Sequence, residues 1–371
     1  MEGPRAVRPD EMEALRRLTD VVFRPGMPEQ YPQLFDSDNL SNLRVCMDDG
    51  VCASHVGMVQ RSALIMGCQI KVCMVGSVAT DPDYRNQGLA SACFFDAVDK
   101  ARHDGVDLMI VSGGRGLYTR NGCMNVGSDL RVSVVAEQIA ERNVIVTDLQ
   151  TGDLDLITEC YRKEPVRFVR TPADYNFYFK SGWAMNAPSV FHVVRAAGTN
   201  AFLGYVFVRD PQEGKAASLV EFGGDRHAII ASLPHLFEKY GLSSINFHVQ
   251  TGDDLMQQLC FAAGLEHTRT TTSGTFKFIN FTQLMHKLHV RFAEILGEDS
   301  ACALRFDDDG DVYTFGSGSN TLILDRDTAT KAVFGTPDGL PVEILNCQGT
   351  LGESLRAILP IPTLWYGMNY V

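Results

Sequence analysis

The period of the apolar positions changes several times along the chain. Val75-Gly76-Ser77-Val78-Ala79-Thr80 reads as a strand, and Pro82 forbids further sheet pairing at its own position. After Arg85-Asn86-Gln87-Gly88, the residues Ala90, Phe94, Ala97, Val98 and Ala101 recur at helical spacing until His103-Asp104-Gly105 ends the run. Leu108-Met109-Ile110-Val111 is a second strand, running into Gly113-Gly114. Upstream, Arg5 to Arg8 is a first strand and Pro9-Asp10 opens a helix through Met12, Leu15 and Leu18. Residues 23 to 42, with Pro25, Pro28 and Pro32, read as irregular. Leu43 to Met47 and Val51 to Gln60 flank Asp48-Asp49-Gly50, a hairpin signal, and Ala63 to Met74 adds more strand. Leu130 to Val135 reads as the closing strand of this block.

From about Val146 the order partly repeats. Leu154 to Arg162 is a short helix, and Val190 to Arg195 and Phe202 to Val208 are paired strands. Ser218 to Phe222 takes the place of the central strand, Ala228 to Tyr240 that of its helix, and Ser244 to Val249 that of the next strand. Phe281 to Leu296 then reads as one amphipathic helix with Leu284, Leu288, Phe292 and Ile295 on a face. Short strands follow at Ala301 to Phe306, Val312 to Phe315 and Thr321 to Leu324, with a helix from near Asp327.

A chain of 371 residues exceeds what one core ordinarily serves, so two or three domains are expected. Nothing approaches the ~18 apolar residues of a membrane span, and the charged start of the chain lacks the apolar core of a signal peptide. Ten scattered cysteines without a Cys-x-x-Cys pair point to no zinc ribbon and no disulfide framework, hence to a reducing cytoplasm. The net charge of −12 argues against nucleic acid as a partner and mildly favours a cationic, amine-bearing one.

A strand, a small-residue loop and a helix N-terminus together make an anion site, because the first helical N–H groups lack partners and the dipole adds positive charge. The loop has neither the Gly-x-x-x-x-Gly-Lys-Ser/Thr of a nucleotide-triphosphate site nor the Gly-x-Gly-x-x-Gly of a dinucleotide site. Arg85, Gly88 and Ala90 fill the pattern Arg/Gln-x-x-Gly-x-Gly/Ala, and Leu117-Tyr118-Thr119-Arg120-Asn121-Gly122 comes after it in order. This stretch resembles the pyrophosphate loop of the GNAT-type N-acetyltransferases. Thr328 to Gly335 and the ending Leu359 to Trp365 resemble a sterol-carrier-protein-like domain. The whole arrangement is similar to the Eis-type multidomain acetyltransferases.

The resemblance implies mixed α/β lobes: a catalytic GNAT domain over residues 1–143, a degenerate GNAT-like one over 144–280, and a sterol-carrier-like α+β domain over 281–371. Gly223-Gly224-Asp225-Arg226-His227 and Cys260 stand in the second lobe where the first has its loop and Tyr118. It further implies acetyl-CoA as acyl donor, no metal, a primary-amine acceptor on a small molecule or peptide, and self-association. Acetyl-CoA would be held by Val78, Ala79, Thr80, Arg85, Asn86, Gln87, Gly88, Leu89, Ala90, Ser91, Gly113 and Gly114, with the main-chain N–H of Val78 on the acyl carbonyl. Asn86 and Gln87 stand where Eis-type proteins often have arginines. Tyr118 would protonate the departing thiolate, its phenol ordinarily keeping its proton to a pH of about 10. Ser77 to Thr80 offers no carboxylate, and the apolar tail Tyr366 to Val371 reads as buried. By resemblance, the Val371 carboxylate is a candidate base or substrate anchor, although such enzymes commonly end in an aromatic residue.

Other features read as structural. Asp307-Asp308-Asp309-Gly310-Asp311 is a hairpin turn rather than a calcium loop, since Arg305 takes the first ligand position. His286 and His289 read as helix-surface residues, Ser112 lacks a nucleophile elbow, and Cys123 reads as a packed thiol. The rival class is a non-catalytic protein whose acetyl-CoA site senses and whose last domain carries an apolar ligand.

Overall fold

A computed structural model describes residues 1–139 and 143–371. They form two compact units, Met1–Val126 with Ser273–Ile361 and Val371, and Gly127–Thr272 with Pro362–Tyr370.

In the first unit a mixed sheet runs β1 (Glu2–Ala6), β2 (Leu43–Asp48), β3 (Val51–Ile65), β4 (Cys68–Thr80), β5 (Leu108–Val111) and then Thr275–Phe278. The β2–β3 turn falls at Asp49-Gly50 as the sequence predicts. Both residues have positive φ (45° and 81°), the twist that suits a two-residue hairpin, and Met66-Gly67 repeats the device between β3 and β4. β4 and β5 are parallel, and the helix Leu89–His103 is the crossover between them. Its Phe94, Ala97, Val98 and Ala101 pack on Val56, Met58, Cys73 and Val75 of the sheet. The helix Met12–Val22 buries Leu15 and Leu18.

The segment expected as one helix over Phe281 to Leu296 is two, Phe281–Lys287 and His289–Leu296, meeting at Leu288. Leu284, Leu288 and Phe292 are buried as expected, but Ile295 is 39% exposed. An antiparallel three-stranded sheet comes next, Leu304–Asp309, Val312–Ser317 and Asn320–Asp325, with Gly310-Asp311 as its first turn. The helix Arg326–Phe334 succeeds it.

In the second unit the sheet order is Glu266–Thr270, Asp129–Val134, Ser244–Val249, Ala216–Gly224, Phe202–Arg209, Ala187–Ala196 and Val144–Asp148. This corrects one expectation. Asp129–Val134, anticipated as the closing strand of the first block, pairs with Ser244–Val249 and Glu266–Thr270 in this sheet. The first sheet is closed against β5 by Thr275–Phe278. Both strands alternate apolar and polar residues, so the local pattern does not choose between the two sheets. The compact units therefore do not follow the linear division at 143/144 and 280/281.

The segment 362–370 is fixed in the second unit by a buried pair. Arg170 binds Glu221 through both terminal nitrogens (2.7 and 2.8 Å) and donates from Nε to Asn369 Oδ1 at 2.7 Å. Glu221 Oε2 also accepts from Met368 N at 3.1 Å. The guanidinium lies 4.0 Å from the Tyr161 ring centre, so both charges are paired and covered, the condition for burying them.

Candidate active site

The site grows out of a break in the pairing of β4. Its last residue paired with β5 is Val75, opposite Val111, after which Ser112 N donates to Val75 O at 3.0 Å. Ser77 has φ 52°, rare for a residue with a side chain, and the register with β3 slips between His55 and Gly57. This bulge bends the strand and re-aims the residues after it. Val78 (half-buried), Ala79 (buried) and Thr80 (half-buried) thus lie beyond the last β5 pair.

The next turn prepares a helix start. Arg85, Asn86, Gln87 and Gly88 are exposed, Asn86 and Gly88 having φ 62° and 78°. Asparagine tolerates that left-handed geometry, so Asn86 serves the turn, where an arginine would be strained. Gly88 is the N-cap of the helix Leu89–His103 and offers no side chain to its first turn. The N–H groups that begin the helix, around Leu89, Ala90 and Ser91, therefore face outward without a capping acceptor, with the dipole behind them. Such a helix start can accept an anion.

Beyond β5, Gly113 is half-buried, Gly114 is exposed, and Gly113 O accepts from Thr275 Oγ1 at 2.9 Å. Tyr118 lies in the short helix Gly116–Arg120 and is 6% exposed, its ring 5.8 Å from that of Phe94. A Cβ on Gly113 would touch Tyr118 Cε2 at 3.4 Å. Gly122 takes φ 79°, and the place of its absent side chain is filled by Arg326, with three atoms at 2.8 Å from a Cβ built there. Cys123 is fully buried and burial pushes its thiol up to about 12, which keeps it protonated and unreactive, as expected.

The tail is buried. Tyr366, Met368, Asn369 and Val371 are each at most 2% exposed. A Cβ on Gly76 would stand 2.1 Å from the Val371 carbonyl oxygen and 2.2 Å from its carbon. Val371 thus lies directly on β4, one residue before the bulge. The sequence shows a glycine inside a strand, a sign that something approaches the backbone closely, but not what approaches.

The corresponding places of the second unit are built shut. Asp225 caps the helix Arg226–Tyr240, accepting from His227 N (2.9 Å) and Ala228 N (3.2 Å). Ala216–Gly224 and Ser244–Val249 are parallel only over residues 216–218 and 244–246, so they too diverge. Trp365 occupies that divergence, donating from Nε1 to Val220 O at 2.7 Å and stacking on His248 at 4.6 Å. The remaining cavity is about 50 Å³. A larger open hollow of about 700 Å³ adjoins Asp225, but its Arg226 is already bound to Glu164 and Asp253 at 2.6 and 2.8 Å. It offers no comparable anion site.

His289, expected merely on a helix surface, meets Glu298 (3.3 Å) and Cys302 (3.8 Å), two partners that sequence spacing did not group with it. Their donor atoms lie within 4.8 Å of one another, and Glu298 and Cys302 are exposed. No helix among the described residues is long and apolar enough to cross a membrane.

An open helix start thus lies beside a splayed parallel strand pair, with a tyrosine behind the second strand. Residues 4–124 match the acetyltransferase (GNAT) domain family, so the first lobe is a GNAT acetyltransferase domain. No curated protein matches the sequence. The fold is similar to a GCN5-related N-acetyltransferase from Anabaena variabilis, with TM-score 0.64, 11% identity and 96% of each chain covered. It is also similar to Eis1 from Mycobacterium abscessus, with TM-score 0.54, 12% identity, and 86% of this chain and 84% of that one covered. A GCN5-related N-acetyltransferase from Kribbella flavida gives TM-score 0.55 at 11% identity, over 86% and 82%. The resemblance to multidomain GNAT acetyltransferases therefore holds at the level of fold, and the architecture is mixed α/β.

Proposed function

We propose that this chain is an acetyl-CoA-dependent N-acetyltransferase that acetylates a primary amine by direct attack in a ternary complex. The observation that carries the reading is the contrast between two similarly built helix starts. Gly88 leaves the first one open, whereas Asp225 fills the second with its own carboxylate. One lobe is kept for an anion and the other for shape.

The main-chain N–H groups of Leu89, Ala90 and Ser91, with Arg85, Asn86, Gln87 and Gly88, hold the pyrophosphate of acetyl-CoA. Val78, Ala79 and Thr80 pair along its pantetheine arm, and Gly113 and Gly114 leave room on the far side. The Val78 N–H polarises the acyl carbonyl, a donor fixed in advance where negative charge develops. Tyr118 gives its proton to the departing thiolate, and the Val371 carboxylate takes one from the attacking amine. What supports the last role is the burial of Val371 against Gly76, beside the bulge that re-aims Val78. The acceptor is a cationic small molecule or peptide, in keeping with the acidic chain. In this reading residues 281–371 form a sterol-carrier-like domain.

Deletion of Tyr370 and Val371 tests the assignment. Turnover with acetyl-CoA and a responsive amine should fall about a hundredfold while acetyl-CoA affinity stays within about twofold. Unaltered turnover would remove Val371 from the mechanism.

A further inference from the structure

His55 lies on β3 with its side chain wholly buried, and neither ring nitrogen makes a well-formed hydrogen bond among the described residues, although the Arg44 backbone acts on the ring. A neutral imidazole carries one N–H and one lone pair, and leaving either unmet inside a protein is costly. Burial pushes its pKa down to about 3, opposed only by the Arg44 backbone and by no charged side chain. The ring is therefore neutral, and its polarity needs another purpose.

The neighbours of His55 show where that polarity points. Phe35 is 6.3 Å away between ring centres, and a Cβ on Gly57 would meet His55 Nε2 at 3.0 Å and Leu34 Cδ1 at 3.1 Å. The imidazole thus leans over a glycine. Gly57 stands directly across from Gly76, the residue on which Val371 rests. The Cβ positions of such a cross-strand pair point to one face about 5 Å apart. His55 Nε2 and the Val371 carboxyl group accordingly share a face of the sheet, with two adjacent glycines and no side chain from that pair between them. Gly76 O, 3.3 Å from the Gly57 Cβ position, lies on the same path. A water between Nε2 and the Val371 carboxylate would have two polar partners, the fewest a buried water requires.

We propose that His55 is a positioning residue for the Val371 carboxylate, its Nε2 hydrogen-bonded to a buried water that donates to the carboxylate and so fixes it over Gly76. The role rests on the reading of Val371 as proton acceptor, but the contact itself does not. No proton is transferred by His55. It holds the acceptor at one angle to the amine, and misorientation of a reacting group by about 1 Å is enough to slow catalysis substantially.

The test uses the full chain in three forms beside wild type: His55→Phe, His55→Gln and the deletion of Val371. His55→Phe should lower kcat about tenfold or more while leaving the acetyl-CoA dissociation constant, measured by calorimetry, unchanged. His55→Gln, which keeps a donor and an acceptor, should recover most of kcat. In ¹⁵N-histidine-labelled protein, the ring resonances missing from His55→Gln identify His55, and deleting Val371 from the otherwise wild-type chain should shift them. A wild-type kcat in His55→Phe overturns the positioning role even where deletion of Val371 impairs turnover. Resonances unmoved by the deletion overturn the contact, including where His55→Phe fails to fold. Turnover untouched by deleting Val371, with the resonances shifted, keeps the contact and rejects only Val371 as acceptor.

Discussion

Gly76→Ala is the smallest change that should disable the proposed chemistry. The new methyl carbon would lie 2.1 Å from the Val371 carbonyl oxygen and 2.2 Å from its carbon, whereas real Cβ atoms essentially never come under 3.0 Å. Gly76 is held inside β4 and pairs with Gly57, so the strand cannot readily withdraw. The end of the tail must yield, and restoring an ordinary contact displaces it by about 1 Å. A misplacement of that size in a reacting group costs on the order of a hundredfold. The overpacking should also destabilise the protein by about 1–3 kcal/mol. Steady-state thiol release is the assay, with kcat and the acetyl-CoA KM measured separately. The expected result is a kcat about a hundredfold lower, a KM within about twofold of wild type, and a folded protein by melting temperature. Gly152→Ala is the control, since a Cβ there meets nothing within 4 Å. A folded Gly76→Ala protein with wild-type kcat would refute both the packing argument and the role of Val371.

Two further consequences concern the second unit. Asp225 caps its helix and Trp365 fills its strand divergence, so calorimetry should find one acetyl-CoA per chain; two equivalents would mean that the second lobe is not closed. Asp129 is fully buried, accepting from Thr272 Oγ1 at 2.8 Å, and burial pushes its carboxyl up to about 7 from an ordinary value near 4. Between those values the folded state binds more protons than the unfolded one, so this group makes stability fall as pH rises from about 4 to 7. Asp129→Asn should therefore raise the melting temperature more at pH 8 than at pH 5, and an equal effect at both would contradict the assignment.

Much of the first lobe was legible because its signals are local. Asp49-Gly50 forces a hairpin, and Phe94, Ala97, Val98 and Ala101 lie on one helix face whatever the sheet they cover. The loop at Arg85 to Ala90 could be found because a helix start without a capping side chain is written in consecutive residues. What escaped depends on distant partners. Asp129–Val134 and Thr275–Phe278 each alternate as strands should, and no local feature chooses which sheet each joins. Leu288 breaks the 281–296 helix without a proline or glycine to announce it. Gly57 and Gly76 were visible as glycines in strands, yet their meaning comes from His55 and Val371, which only tertiary structure brings to one face. Trp365 likewise looked like part of a terminal motif until the chain laid it between two diverging strands.

The most direct test of the account is thiol release from acetyl-CoA across a panel of amines, with wild type beside Tyr118→Phe. The account predicts turnover with one class of amine and a loss of about a hundredfold or more in the variant, as expected when a general acid is removed from a ring that otherwise keeps its packing against Phe94. Acetyl-CoA binding without acetylation of any amine would contradict the enzymatic reading and favour a sensor or carrier. Full turnover in Tyr118→Phe would contradict the role of the tyrosine.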